Sequence, residues 1–174
     1  MRSSAVFRRA ASCLLTGLII LQGVAVASEL SLVSPPRKIP ETVLPALNGK
    51  IYNLNAGRGK VLLVNFWASW CPPCRAEMPS IWRLKQRLGS SRFEVIAINI
   101  GEDAETIKAF MPDKLLREFM VLLDWRSQVS RAWSVDALPA TFVVDREGQI
   151  RYVLKGAAQW DSREIIRLIG QLTG

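Results

Sequence analysis

The chain contains 174 residues, 49% of them hydrophobic and 22% charged, so it is long enough to form one globular domain with its own apolar core. Its formal net charge is +8, but the basic residues are scattered along every segment, which argues against a nucleic-acid partner. The sequence has no histidine, and this removes the most common general base and the most common metal ligand from consideration.

The first 27 residues are typical of an export signal. Three arginines and no acidic residues accompany an apolar run over residues 10–27, which ends on the small-x-small sequence Ala-Val-Ala. We expect cleavage after Ala27 and a protein located in the periplasm or on the outer face of the cytoplasmic membrane. Because about 18 apolar residues approach the length that spans a bilayer, a retained membrane anchor is the open alternative.

Loss of residues 1–27 changes two properties of the chain. The formal charge falls from +8 to +5, which mildly favours acidic partners or an anionic membrane surface. Cys13 leaves with the segment, so the only cysteines that remain are Cys71 and Cys74.

The next segment, residues 28–40, is predicted to be a linker. Pro35, Pro36 and Pro40 disfavour both helix and sheet pairing. The folded domain is therefore expected to span residues 41–174. It opens with two short apolar stretches around Asn48-Gly49, which predict a hairpin.

Strands and helices then alternate along the chain. A continuous apolar run over residues 60–66 predicts a strand buried on both faces, and the spacing that follows predicts a helix over residues 72–88, ended by Gly89. Further strands are predicted over residues 93–100, 119–123, 141–144 and 150–154, and further helices over residues 104–110 and 127–133. Asp161-Ser-Arg-Glu164 is interpreted as the capping box of a last helix. This alternation predicts an α/β fold with a central sheet covered on both faces.

The two cysteines stand three residues apart where a buried strand meets a helix. The partial positive charge and free amides of a helix N-terminus favour the thiolate form of the first cysteine. The second cysteine lies one turn further, close enough to attack a mixed disulfide and release the other partner. Cys71 is therefore the candidate nucleophile and Cys74 the candidate resolving thiol.

Other uses of this pair have less support. A structural zinc site needs four ligands, and two cysteines without histidine would require carboxylates or a second subunit. Covalent haem attachment needs a histidine after the second cysteine, where Arg75 stands. An inert structural disulfide remains an alternative, although closing so short a loop contributes little stability.

Two segments carry a resemblance to a known family. They are Val-Asn-Phe-Trp-Ala-Ser-Trp-Cys-Pro-Pro-Cys-Arg-Ala-Glu-Met-Pro at residues 64–79 and Leu-Pro-Ala-Thr-Phe-Val-Val-Asp-Arg-Glu-Gly at residues 138–148. Over roughly residues 40–172 the chain resembles the TlpA/ResA-like thioredoxins, which are envelope-facing dithiol proteins. The resemblance implies a thioredoxin fold: a central mixed sheet of about five strands flanked by helices, with a strand-helix insertion in the middle. It implies neither a cofactor nor a metal.

The resemblance also implies roles for particular residues. Cys71 and Cys74 match the redox pair. Pro139 matches the cis-proline that faces the dithiol, with an ordinary trans proline as the alternative. Glu77 matches an acidic residue beside the pair, with a solvated helix carboxylate as the alternative. Because Glu77 lies three residues past Cys74 on the same helix face, we expect it to help move the proton of the Cys74 thiol. Pro79 matches the proline that kinks this helix.

The tryptophans are divided between surface and core. Trp70, beside the nucleophile, is expected to line the docking surface, and Trp67 is expected to pack in the core. The remaining four are also interpreted as packing residues: Trp82, Trp125, Trp133 and Trp160. Two positions depart from related proteins. Asn65 stands where cytoplasmic thioredoxins bury an aspartate, so their proton relay is not available. Ala140 stands where cytochrome c maturation thioredoxins often have glutamate, which weakens the case for that specialised role.

Two functions remain after these observations. The first is a monomeric enzyme that reduces disulfides in other exported proteins and is recharged by a membrane electron donor. Its substrate is open between apocytochrome c, a copper-site assembly protein and another oxidoreductase. The second is a thioredoxin-fold chaperone that holds a metal ion or an unfolded client through the same thiols, without turnover.

Overall fold

The computed structural model describes residues 30–57 and 59–174. The predicted export signal and Cys13 lie outside the described residues. Within these two ranges, none of the helices combines the length and the hydropathy needed to cross a bilayer.

The described residues form eight strands and five α-helices. The strands are β1 (Ser31–Lys38), β2 (Val43–Pro45), β3 (Ile51–Asn53), β4 (Val61–Trp67), β5 (Phe93–Ile100), β6 (Met120–Asp124), β7 (Ala140–Val144) and β8 (Gln149–Lys155). The helices are α1 (Pro72–Leu88), α2 (Ala104–Phe110), α3 (Asp113–Glu118), α4 (Gln128–Ala132) and α5 (Arg163–Thr173). A short 3-10 helix spans Leu54–Gly57.

Six of the strands form one mixed sheet in the order β1-β8-β7-β4-β5-β6. β4 pairs in parallel with β5 and antiparallel with β7, and β5 pairs in parallel with β6. One face of the sheet packs against α1, α2, α3 and α5, and the other packs against α4 and the β2-β3 hairpin. The expected α/β class, with helices on both sides of a mixed sheet, is confirmed.

The expectation that residues 28–40 stay out of the sheet is wrong. β1 pairs antiparallel with β8, although its register shifts between Leu32 and Arg37. Pro35 and Pro36 lie inside this irregular part of an edge strand, where a missing N–H removes no bond from the interior of the sheet. The sheet therefore has six strands instead of about five.

The helices also differ from the prediction in two places. Pro112 ends the region of α2, as expected, but it also stands at the N-cap of the short helix α3, because proline is tolerated at a helix start. The last helix begins after Ser162, whose hydroxyl accepts a hydrogen bond from the Ile165 N–H, and not after Asp161. Asp161 instead pairs with Arg83 Nε at 2.6 Å.

The opposite edge of the sheet, β6, is partly covered. Ala46 forms an isolated bridge with Leu122, and the Leu47 N–H donates to the Val121 carbonyl at 2.9 Å. The chain that follows β2 therefore lies along the outer side of β6.

The fold places a helix start at the end of a rigid strand. Every residue of β4 is buried, as expected of a strand with helices on both faces. The chain leaves β4 at Trp67 and reaches α1 within five residues, so the loop between them has little freedom. Helix α1 covers residues 72–88 as predicted and contains Pro79, whose missing N–H cannot bond to the Arg75 carbonyl.

Candidate active site

The cysteine pair lies at the junction of β4 and α1. Cys71 is the N-cap of α1, and its Sγ accepts a hydrogen bond from the Cys74 N–H at 3.3 Å. The two side chains are joined in a disulfide. Cys71 is 4% exposed and Cys74 is 1% exposed. The pair is therefore formed as the spacing predicts, with Cys74 the more deeply placed sulfur.

Cys71 reaches solvent through a cleft of about 520 Å³. Its walls come from the active-site loop, from the start of α1, from the end of β5, from α4 and from the segment between α4 and β7. They include Trp70, Pro72, Pro73, Ile100 and Leu138. Cys71 lines the cleft and Cys74 does not, which fits the proposed division between a sulfur that meets the client and one that does not. Trp70 is 66% exposed at its rim, where an apolar side chain can contact a partner.

Pro139 follows directly after the cleft residue Leu138. The Leu138–Pro139 peptide bond is cis, as the sequence predicts. The carbonyl of Pro139 accepts a hydrogen bond from the Gly156 N–H at 2.8 Å, which ties this loop to the end of β8.

Glu77 is only 2% exposed, so its carboxylate is buried. This excludes the alternative that it is a solvated helix residue. Its Oε1 accepts a hydrogen bond from Asn65 Nδ2 at 2.8 Å. Its Oε2 accepts from Trp160 Nε1 at 2.8 Å and from the Ala158 N–H at 3.2 Å. These donors come from β4 and from the loop before α5, so the carboxylate joins three separate parts of the chain.

The electrostatics of Glu77 suit a proton acceptor. Burial raises the pKa of Glu77 from its ordinary 4.5 to about 7, although its three hydrogen bonds act in the opposite direction. Trp160, which donates to this carboxylate, belongs to the same core cluster as Cys74. A carboxyl group that titrates near neutral pH can take up and return a proton under working conditions.

Asn65 has a larger role than its departure from cytoplasmic thioredoxins suggests. Besides Glu77, its Nδ2 donates to Thr141 Oγ1 at 2.8 Å. Thr141 lies two residues after Pro139 on β7. The buried amide therefore connects the carboxylate on α1 with the strand that follows the cis-proline.

Glu102 is a site residue that sequence reasoning missed. It accepts a hydrogen bond from the Ser69 N–H at 2.7 Å and a second one from the Ser69 hydroxyl. Asn99 Nδ2 donates to the same carboxylate at 2.7 Å. Burial acts to raise the pKa of Glu102, but these hydrogen bonds outweigh it and hold the pKa below its ordinary value. The charged carboxylate thus anchors the loop two residues before the nucleophile.

A signal for Glu102 exists in the sequence. It follows the end of β5, and the carboxyl ends of neighbouring parallel strands meet at one edge of a sheet. No such local signal marks Trp160, whose indole becomes a partner of Glu77 only through the packing of the last loop on α1.

The packing predictions for the tryptophans are confirmed for all but one. Trp67, Trp133 and Trp160 are fully buried, and Trp82 packs partly buried against the core. Trp125 is 58% exposed, so its interpretation as a packing residue is wrong. It stands just past the end of β6, where the chain turns toward α4 and leaves the sheet.

Comparisons with known proteins agree with this geometry. The Redoxin family model matches residues 36–167. "Thiol-disulfide oxidoreductase ResA" of Geobacillus kaustophilus is 32% identical over 129 residues, which cover 74% of each chain. The protein of the same name from Bacillus subtilis is 35% identical over 124 residues, covering 71% of this chain and 69% of the relative. A crystal structure of a thiol:disulfide interchange protein of the thioredoxin family from Chlorobium tepidum superimposes with a TM-score of 0.65 and 26% identity, covering 82% of this chain and 99% of the other. The thioredoxin fold expected from the sequence is confirmed.

Proposed function

This chain belongs to the Redoxin family and is a thiol-disulfide oxidoreductase, and on that premise we propose that it reduces disulfide bonds in other exported proteins. The observation that carries the proposal is the placement of the two sulfurs. Cys71 caps a helix and lines an open cleft, whereas Cys74 lies behind it in the core.

The two sulfurs act in sequence. The Cys71 thiolate attacks one sulfur of a client disulfide, so that a bond from Cys71 to the client forms and the second client sulfur leaves as a thiolate. Cys74, deprotonated with Glu77 as the proton acceptor, then attacks the Cys71 sulfur and releases the first client sulfur. The client gains two electrons, and the protein is left with the Cys71–Cys74 disulfide that the structure shows.

The direction of the reaction follows from the few donors near Cys71. Proline lacks an N–H, so Pro72 and Pro73 offer none, and the Cys74 N–H is the backbone donor that reaches Sγ. The loop also has no histidine. A thiolate with little stabilisation makes the reduced form a better electron donor, so the protein favours reduction of its clients.

A redox titration tests this direction. Equilibration with a glutathione buffer is expected to give a potential below about −200 mV, and a value above about −150 mV would contradict the proposal. Pro73→His restores a donor to the loop and is expected to raise the potential. Steady turnover of a disulfide client with a regenerating dithiol distinguishes the enzyme from a chaperone, which would retain client or copper in stoichiometric amounts.

We further propose where the reaction takes place, what returns the electrons and which proteins are the clients. The basic and apolar leader of the sequence supports a location outside the cytoplasmic membrane, either as a released protein or on an uncleaved anchor. A dithiol protein of the membrane would then return the electrons. Apocytochrome c and copper-site assembly proteins are suitable clients, because their paired cysteines must be reduced before they take up haem or copper.

A further inference from the structure

We propose that the cleft beside Cys71 selects client segments that carry an acidic side chain close to the reactive disulfide, and that Arg131 recognises this side chain. The inference rests on the proposed function, since the client must react with Cys71. It adds a class of substrate and the residue that chooses it.

The charges that line the cleft are few. Its walls are otherwise apolar or carry hydroxyl groups, and its two charged side chains are Arg131 and Asp136. A client that enters the cleft therefore meets one cation and one anion beside the apolar surface of Trp70.

The anion is already paired. Lys155 Nζ lies 2.6 Å from Asp136 Oδ2, and the hydrogen bond from Lys155 holds the pKa of Asp136 below its ordinary value. Asp136 is thus a charged group with a cation of its own, and the pair adds little net charge to the cleft.

The cation has no such partner. Among residues 30–57 and 59–174, no carboxylate forms a salt bridge with Arg131. Its Nη2 donates one hydrogen bond to the Arg126 carbonyl at 3.0 Å, which leaves its other N–H groups to a ligand. A guanidinium suits a carboxylate, which it can bind through two parallel hydrogen bonds.

The surroundings add to this preference. The carboxylate of Glu102 accepts hydrogen bonds from Ser69 in the active-site loop and from Asn99 on β5. Without residues 1–27 the chain carries a formal charge of +5, so an acidic client is also attracted from a distance. The geometry points to an extended client segment with an apolar side chain against Trp70 and a carboxylate on Arg131.

A pair of disulfide peptides tests the inference. The peptides are identical except for Asp or Lys beside the cysteine, and the full chain in its reduced form attacks each one at low salt. Each rate constant is divided by the rate with dithiothreitol, which removes the effect of the neighbouring charge on the peptide itself. We expect the Asp peptide to react about threefold faster, the size typical of one exposed ion pair, and the preference to fade at 1 M salt.

Two charge-reversal variants assign the preference to its residue. Arg131→Glu is expected to invert the order of the two peptides. Arg87→Glu makes the same change of charge at the exposed far end of α1, about 24 Å along the helix from Cys71, and is expected to keep the order.

The outcomes separate this inference from the proposed function. Equal rates for the two peptides, or an unchanged preference in Arg131→Glu, would leave the reductase intact and overturn the role of Arg131. If neither peptide is reduced, the proposed function is wrong and the inference falls with it.

Discussion

Cys71 and Glu77 both belong to the start of α1, but Cys71 lines the client cleft and Glu77 is enclosed in the core. Cys71 caps the start of the helix, whereas Glu77 is enclosed among Asn65, Ala158 and Trp160. The sequence predicts both residues, because Cys71 belongs to a short motif and Glu77 lies one turn beyond Cys74. It does not predict the environment of Glu77, since two of its three donors are 81 and 83 residues away along the chain.

Covalent trapping tests the roles of the two cysteines. Cys74→Ser is expected to accumulate mixed disulfides through Cys71, because no second thiol remains to release the client. Cys71→Ser is the matched control and is expected to trap no client, since Cys74 does not line the cleft. Non-reducing gels with a model disulfide client measure both; equal trapping by the two variants would show that the nucleophile is wrongly assigned.

The buried carboxylate should also make stability depend on pH. Between about pH 4.5 and 7 the folded protein keeps a proton on Glu77 that the unfolded chain has lost. The free energy of unfolding of the disulfide form should therefore fall as pH rises through this range, by about 3 kcal/mol. Glu77→Gln cannot titrate and is expected to lose this dependence, which urea unfolding at a series of pH values measures.

The same variant separates the chemical role of Glu77 from its effect on stability. If the carboxylate accepts the proton of Cys74, Glu77→Gln should slow the release of a client from a preformed mixed disulfide, while the first attack by Cys71 keeps its rate. If the unchanged protein and Glu77→Gln show the same dependence of unfolding free energy on pH, burial does not raise the pKa of Glu77. If the two proteins release the client at the same rate, Glu77 does not accept the proton of Cys74.

Individual elements were predictable where their pattern is local. The buried run of β4 and the apolar spacing of α1 give strands and helices within about one residue of their observed bounds. β1 escaped prediction because Pro35 and Pro36 are compatible with a strand only at an edge, and the edge position depends on β8 from the far end of the chain. Likewise, the sequence does not show that Ser162 caps α5 in place of Asp161, because Asp161 forms an ion pair with the distant Arg83.

The cap of α5 gives a prediction at this scale. Ser162→Ala removes the acceptor of the Ile165 N–H and should lower the free energy of unfolding by about 1 kcal/mol. Ser162→Asn keeps a good capping side chain and should retain nearly all of the stability. Thermal or urea unfolding of both variants measures the difference, and an equal loss in the two would assign the effect to something other than the cap.

The molecule as a whole combines a cleft for a client with an expected route out of the cytoplasm. The fold and the reactive cysteine pair could be predicted from the sequence almost completely, because the residues that define each are contiguous along the chain. The cleft could not be predicted in this way, because its walls come from four separate loops and element ends, which contribute Trp70, Ile100, Arg131 and Leu138. Its chemistry depends on the sheet, which brings those ends to one edge.

Export is tested with the whole chain. A fusion to alkaline phosphatase, which is active only after export, is expected to be active, and removal of residues 1–27 should abolish that activity. The size of the exported chain and its distribution between soluble and membrane fractions then separate a cleaved signal from a retained anchor. A stable but inactive full-length fusion would contradict the location.

The two borders of the sheet have a consequence for self-association. An exposed edge strand offers unpaired N–H and C=O groups, on which a second chain can add and begin an aggregate. On one border Pro35 and Pro36 interrupt the row of donors of β1, and on the other the Ala46–Leu47 segment already occupies part of β6. Neither border is a continuous template for strand addition. A thiol-disulfide oxidoreductase of this shape can therefore meet a client at the cleft without offering the strands of that client a continuous edge along its sides.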